Sequence, residues 1–257
     1  YSGSIIIPKT IIYNGKTYTV TRIGDHAFIG CFSLTSLTIP ESVTSIGTQA
    51  FGFCYTLTSI VVESGNTTYD SRNNCNAIIE SATNTLIAGC KNTTIPNSVT
   101  KIGSYAFARC HQLNKVVLPS SLKEIKMLCF YKCESLSEVI FNSIPTCSRQ
   151  VFANLNHKVK IIFNLTDKKI EKVIETNDQF NELITSLNGS LIDDLFVDGI
   201  VLESKGNNQY ALDYCFNDEL KEFKVNDYQG VTITSCNIGA LGNIELLNDV
   251  IFDENLE

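Results

Sequence analysis

The sequence predicts a β-rich solenoid of the α/β type, built from stacked coils with one parallel strand sheet along a face. Three observations carry this. Aromatic landmarks recur at a nearly fixed spacing, the residues after each landmark alternate as a strand does, and a single cysteine position recurs with them. Phe28, Phe51, Phe107, Phe130 and Phe152 are separated by steps of 23, 56, 23 and 22 residues. The long step is one 23-residue coil plus 33 extra residues. A fixed period in this range marks stacked repeats, each too poor in apolar residues to bury a face alone.

Each coil has the same internal order. Ala27-Phe28 leads to Cys31, Leu34, Leu37 and Ile39-Pro40, and Ala50-Phe51 to Cys54, Leu57, Ile60 and Val62. Ala106-Phe107 gives Cys110, Leu113, Val116 and Leu118-Pro119, and Phe130 gives Cys133, Leu136, Val139 and Phe141. Phe152 gives Leu155, Ile161 and Phe163. Five residues before the Phe stands Ile23, Ile46, Ile102 or Ile125. The Leu-x-x-Leu-x-Leu portion points alternately in and out, as a strand must. Stacked coils then place Phe on Phe, Leu on Leu and Cys on Cys.

That column reads Cys31, Cys54, Cys110 and Cys133 as packing residues, because a free thiol behaves as a small buried hydrophobe; a disulfide between stacked coils is the alternative, and the packing does not need it. A metal site would use closely spaced pairs such as Cys-x-x-Cys, which the chain lacks.

The string from Ile95 to Leu113, Ile-Pro-x-Ser-Val-Thr-x-Ile-Gly-x-x-Ala-Phe-x-x-Cys-x-x-Leu, resembles the BspA-like leucine-rich repeats of bacterial surface proteins, and residues 39–57 match it nearly as well. The extra segment, from Asn66-x-x-Tyr69-Asp70-Ser71-Arg72 through Cys75 to Cys90, is similar to an insertion recurrent in that family. The resemblance covers about residues 5–163. It implies a leucine-rich-repeat solenoid and a secreted or surface-anchored protein that binds other proteins, host matrix or plasma proteins among them.

The remaining elements follow in order. Ile5-x-Ile7-Pro8 reads as the last strand of an incomplete coil. Residues 11–20 around Asn14-Gly15 read as a β-hairpin, since Asn-Gly supplies the two left-handed residues of its turn, and it is expected to cap the first coil. The insertion, about 63–95, is expected to pair 77–80 with 85–88.

The charge changes sign along the chain. Residues 1–164 carry 14 Lys and Arg against 8 Asp and Glu, and residues 165–257 carry 6 against 19, within a net charge of −7. Two regions are therefore expected, a repeat domain 1–164 and an acidic region 165–257. In the second, residues 167–187 show helical spacing, with Thr166 as N-cap and Asn188-Gly189 as stop. Beyond it, Ile192, Leu195 and Val197, then Leu220, Phe223 and Val225, then Ile244, Leu247, Val250 and Phe252 fit degenerate coils headed by Ser186, Tyr214 and Leu241. A separate small α+β domain is the alternative.

Chemistry is sparse. His26, His111 and His157 sit beside repeat landmarks, and no nucleophile elbow, zinc-protease, dinucleotide or phosphate-loop motif occurs. Asp193-Asp194 and Asp253-Glu254 lack the spacing of a calcium loop and read as solvated acids. The reading is non-enzymatic, with no cofactor and no metal. Phosphate binding needs cationic surface, which argues against nucleic acid. No apolar run is long enough to span a bilayer, and Tyr1 to Pro8 lack the pattern of a signal peptide.

A partner surface is expected on the outer face of the sheet. Val61, Val117, Ile140 and Ile162 occupy its outward slot, so Val117, Ile140 and Ile162 should form one apolar stripe, flanked by Lys115, Glu138 and Lys160. β-branched residues also suit strands for packing reasons alone. Tyr69 and Arg72 of the insertion form a competing contact site. A structural spacer or assembly subunit is the rival function. A carbohydrate site is the weaker third, wanting exposed aromatics in a chain with no Trp and most Phe in the core column.

Overall fold

The computed structural model describes residues 1–192 throughout, and beyond them only the strands Leu195–Val197, Ile200–Gly206, Gln209–Cys215, Glu222–Lys224, Thr232–Cys236 and Asp249–Ile251. Two compact units result, Tyr1–Cys147 with Val151–Ser190, and Ser148–Gln150 with Leu191–Glu257.

In the first unit the coils stack as the repeat requires. Strand Ser33–Ile39 pairs in parallel with Ser2–Ile6 on one side and Ser59–Val62 on the other, aligning Ile5 with Leu37 and Leu37 with Ile60. A second sheet runs Lys115–Leu118, Glu138–Phe141, Val159–Asn164, aligning Val116, Val139 and Ile161. The alternating pattern buries these three and Leu34, Leu37, Ile39 and Ile60.

A second column of short parallel strands carries the isoleucines. Ile23 aligns with Ile46, and Ile102 with Ile125 and Cys147. The Ala-Phe turns make a third column, joined by backbone bonds in which each Phe N–H donates to the carbonyl of the next coil's Ala slot: Phe28 to Ala50, 2.7 Å, Phe107 to Cys129, 3.0 Å, and Phe130 to Val151, 3.0 Å. The turns need left-handed residues two before the Phe (His26, Gln49, Tyr105, Leu128) and two after it (Gly30, Phe53, Arg109, Lys132, Asn154). Non-glycine residues bear this at roughly 1–2 kcal/mol each, a cost the coil-to-coil bonds offset.

Inside, Phe28 stacks on Phe51 at 5.5 Å, and Phe107, Phe130 and Phe152 stack in sequence at 5.6 and 5.2 Å. The cysteine column does more than fill space. The Cys54 and Cys133 thiols donate to the Phe28 and Phe107 carbonyls of the preceding coil, at 3.3 and 3.0 Å. The described cysteines are free thiols. Burial pushes the Cys54 thiol up to about 12 and Cys110, Cys129 and Cys133 well above the ordinary range.

The insertion replaces a coil rather than dangling from one. Its strands Ala77–Glu80 and Thr85–Gly89 pair antiparallel, as expected, with a bulge at Ile87. Thr85–Gly89 then pairs in parallel with Lys101–Ile102, setting Leu86 in the isoleucine column.

Two expectations change. The hairpin Thr10–Tyr13 with Lys16–Thr19 forms, with Asn14 and Gly15 left-handed, but every residue of both strands is exposed, Ile12 at 78%. It pairs only with itself and does not cap the first coil. The helix expected over 167–187 is half strand. Lys169–Ile174 pairs antiparallel with Val159–Asn164, which aligns Ile174 with Val159 and Ile170 with Phe163. The helix is Asn177–Ser186, and its N-cap is Thr176 rather than Thr166. Thr176 accepts from the Gln179 N–H while Gln179 accepts from the Thr176 N–H, a reciprocal cap that starts the helix here. Sheet pairing of the β-branched run before it outweighs its helical spacing. The stop lies where expected, with Asn188 left-handed before Gly189.

This strand and helix close the last coil. Phe180 lies edge-on to Phe152 at 4.8 Å and tilted on Phe141 at 5.8 Å. Asn177 Oδ1 accepts from the Phe152 N–H at 2.8 Å, which in earlier coils bonds to the next coil.

In the second unit, Ile200–Gly206 pairs antiparallel with both Leu195–Val197 and Gln209–Cys215. Gln209–Cys215 pairs on its other side in parallel with Thr232–Cys236, aligning Tyr210 with Ile233. Glu222–Lys224 and Asp249–Ile251 pair in parallel and align Phe223 with Val250, the slots that the degenerate alignment matched. Leu220, Val225, Leu241, Ile244, Leu247 and Phe252, and the acidic pairs Asp193-Asp194 and Asp253-Glu254, lie outside the described residues.

Candidate functional site on the sheet face

The outward slots fall into register as the sequence indicates. Val117 aligns with Ile140 and Ile140 with Ile162, while Lys115, Glu138 and Lys160 align one row away. Their exposure is not uniform. Val117 is 46% exposed, Ile140 is half-buried, and Ile162 is 5% exposed. Ile162 is followed in its row by Glu171 of the closing strand. That carboxylate bonds Lys160 at 2.7 Å and Lys169 at 2.6 Å. Ile162 thus lies between Ile140 and a bridging acid, and the stripe of three narrows to Val117 and Ile140.

The flanking charges answer one another. Lys115 bonds Glu138 at 2.6 Å, so the row reads Lys, Glu, Lys and then Val173 of the closing strand, while Lys160 reaches across to Glu171 in the neighbouring row. The two lysines hold the Glu171 carboxylate down to about 2, against an ordinary 4.5. With the rim charges paired, Val117 at one edge and Val173 beside Lys160 at the other are the exposed large apolar residues of this sheet. Val61 belongs to the other sheet, in a row with Ile6 and Thr38, and is 45% exposed. The three-stranded sheet stops beside it because the Ser71 hydroxyl accepts from the Val62 N–H at 3.0 Å.

The insertion residues have internal roles. Tyr69 is buried, and its hydroxyl accepts from the Ile46 N–H at 3.1 Å. Asn66 holds the segment in place. Its Oδ1 accepts from the Tyr69 N–H, and its Nδ2 donates to the Pro40 and Val43 carbonyls. Arg72 forks onto Asp70, Nε to Oδ1 at 2.7 Å and Nη2 to Oδ2 at 2.5 Å, and its Nη1 reaches Asn84 and Ser98. Burial opposes ionisation of Asp70, but the bonds from Arg72 and Ser81 outweigh it and hold the carboxyl below its ordinary range. Both residues expected to meet a partner are spent on fixing the insertion.

Among the described residues no group of His, Cys, Asp and Glu is placed to hold a metal ion, and no helix is long and apolar enough to cross a membrane. The sequence reading missed Phe32, Phe53 and Tyr55, aromatic residues beside the Phe column that leave the core. Phe32 is 55% exposed.

The family model described as BspA type leucine rich repeat region matches residues 8–82 and 77–189, in 6 copies. Comparison with curated proteins gives no match. Among solved structures, a leucine-rich repeat protein from Eubacterium ventriosum shares 17% identity, with a TM-score of 0.50, over 99% of this chain and 62% of its own. The pneumococcal vaccine antigen PcpA shares 18% identity over 91% of this chain and 60% of its own, with a TM-score of 0.44. A leucine rich cell surface protein from Faecalibacterium prausnitzii shares 18% identity over 98% of this chain and 70% of its own, with a TM-score of 0.31. The first likeness shows the fold, and the chain spans less than two thirds of that protein's length.

Proposed function

Because this chain belongs to the BspA-type leucine-rich-repeat family, we propose that it is a non-enzymatic, adhesin-like protein-binding module that works outside the cell or at its surface. Its partner is a protein, with host matrix and plasma proteins as the class to test. The observation that carries this is the exposed Val117 edge beside Ile140, on a parallel sheet whose charged rim is already paired. Apolar surface rimmed by polar groups gains by burial, at about 25 cal/mol per Å². The narrowing of the stripe at Ile162 favours the rival reading, a spacer that displays another site.

The test is capture of the purified chain by an immobilised panel of host matrix and plasma proteins, beside the double variant Val117→Glu, Ile140→Glu. Capture lost in a variant with parental circular dichroism supports the sheet face. Equal capture by the variant, or none by the parent, overturns it and leaves the spacer.

A further inference from the structure

Beside the Phe column, residues two and four places after each Phe build a second surface. Phe32, Tyr55 and His111 stack in a row, at 4.8 Å and then 4.1 Å with an 8° angle between the last two rings. Next to them the left-handed residues of adjacent coils are Phe53, Arg109 and Lys132. The Arg109 guanidinium lies 4.2 Å from the centre of the Phe53 ring and 5.7 Å from that of Tyr131, and Nη1 donates to the Tyr55 hydroxyl at 2.9 Å. Lys132 Nζ lies 5.5 Å from the Tyr131 ring centre.

The cluster is electrostatically incomplete. Among the described residues no carboxylate pairs with Arg109 or Lys132, and the nearby Glu134 is directed at His111 Nδ1, 3.6 Å away. Arg109 Nε and His111 Nε2 are buried without a hydrogen-bond partner. A part-buried guanidinium with no carboxylate partner favours an incoming oxyanion at its exposed side, and its planar fork suits a carboxylate. Ring edges carry the positive end of the aromatic quadrupole and add to that preference.

The backbone says which kind of carboxylate. Along these turns the N–H groups of Phe107 and Arg109 are bonded to the next coil, and those of Ala108 and Cys110 within their own turn. A peptide has no main-chain ladder to join here. Recognition is left to ring surface and cation together.

The geometry points to a binding site for an acidic sugar on this face, with the carboxylate at Arg109 and Lys132 and the apolar side of the sugar ring against Phe32 and Phe53. It is a second ligand site, independent of the sheet face. The probes are a glucuronate disaccharide, its uncharged glucose counterpart, acetate, and a short glutamate peptide, each titrated calorimetrically into the full chain. The glucuronate disaccharide is expected to bind at least tenfold more tightly than the other three. Arg109→Gln is expected to lose at least tenfold and Lys132→Gln severalfold, with Lys16→Gln on the exposed hairpin unchanged. Should Arg109→Gln fail to fold, Lys132→Gln and Phe32→Ala carry the test, because Phe32 is exposed and Lys132 only half-buried. Equal binding of acetate reduces the site to a simple anion contact and overturns the proposal. So does tighter binding of the peptide, absence of any binding, or full affinity in the folded variants.

Discussion

Gly89 occupies the phenylalanine slot of its coil, and the Phe107 ring of the next coil fills the space its missing side chain leaves. The bonds identify the slot. The Gly89 N–H donates to the Ala106 carbonyl at 2.8 Å, as Phe28 does to Ala50, and its own carbonyl accepts from the Cys110 thiol, as Phe28 does from Cys54. A Cβ on Gly89 would lie 2.2 Å from Phe107 Cε1. The insertion therefore keeps the coil's backbone bonds while giving up its aromatic ring.

Gly89→Ala is accordingly expected to destabilise the chain by about 1–3 kcal/mol, the usual range for overpacking a filled core. Thermal unfolding should show a fall of roughly 2–4 °C for each kcal/mol. An unchanged midpoint would mean that Phe107 can move aside at no cost.

The closing helix should be worth more than its length suggests. Phe180 is fully buried against Phe152 and Phe141, so Phe180→Ala is expected to cost about 3–5 kcal/mol. Asn177→Ala leaves the Phe152 N–H without its acceptor and is expected to cost about 1–3 kcal/mol. Urea unfolding of both variants, read by circular dichroism, checks the order.

The Glu171 bridge predicts an acid-side loss of stability. Its carboxyl titrates near 2 when folded and near 4.5 when free. A depressed folded value contributes stability that is fully present above 4.5 and disappears as pH falls through 2. The unfolding midpoint should drop between pH 5 and pH 2. In Glu171→Gln that part of the drop should be missing, and parent and variant should converge near pH 2.

Thiol reactivity tests the cysteine column. The chain has ten cysteines, and the eight within residues 1–192 are free and not solvent-exposed. Burial raises the Cys54 thiol to about 12 and those of Cys110, Cys129, Cys133 and Cys147 well above the ordinary range, so almost none of these five is thiolate at pH 8. Ellman's reagent should leave these five unlabelled in the native chain and titrate all ten cysteines in denaturant. Rapid native labelling of more than five would show that the column opens.

Much of the repeat unit was legible in the sequence. The Phe, Ile, Leu and Cys columns, the Asn14-Gly15 turn, the pairing of 77–80 with 85–88 and the row Val117, Ile140, Ile162 follow from spacing, because stacking forces equivalent residues of successive coils into register. What spacing left open was how the stack is bounded. Tyr69, Ser71 and Asn177 look like ordinary polar residues in sequence. In the structure each receives a backbone N–H that stacking leaves unpaired, from Ile46, Val62 and Phe152. Which N–H groups are left over depends on where the column stops, and that is a property of the assembled coils. The same reason governs the candidate sites. The sequence determined which side chains face outward. Only the tertiary structure decided that the closing strand buries Ile162, that Tyr69 and Arg72 are spent on the insertion, and that Arg109 meets rings instead of a carboxylate. Exposure and unmet charge depend on neighbours brought from elsewhere in the chain, and periodicity carries no record of them.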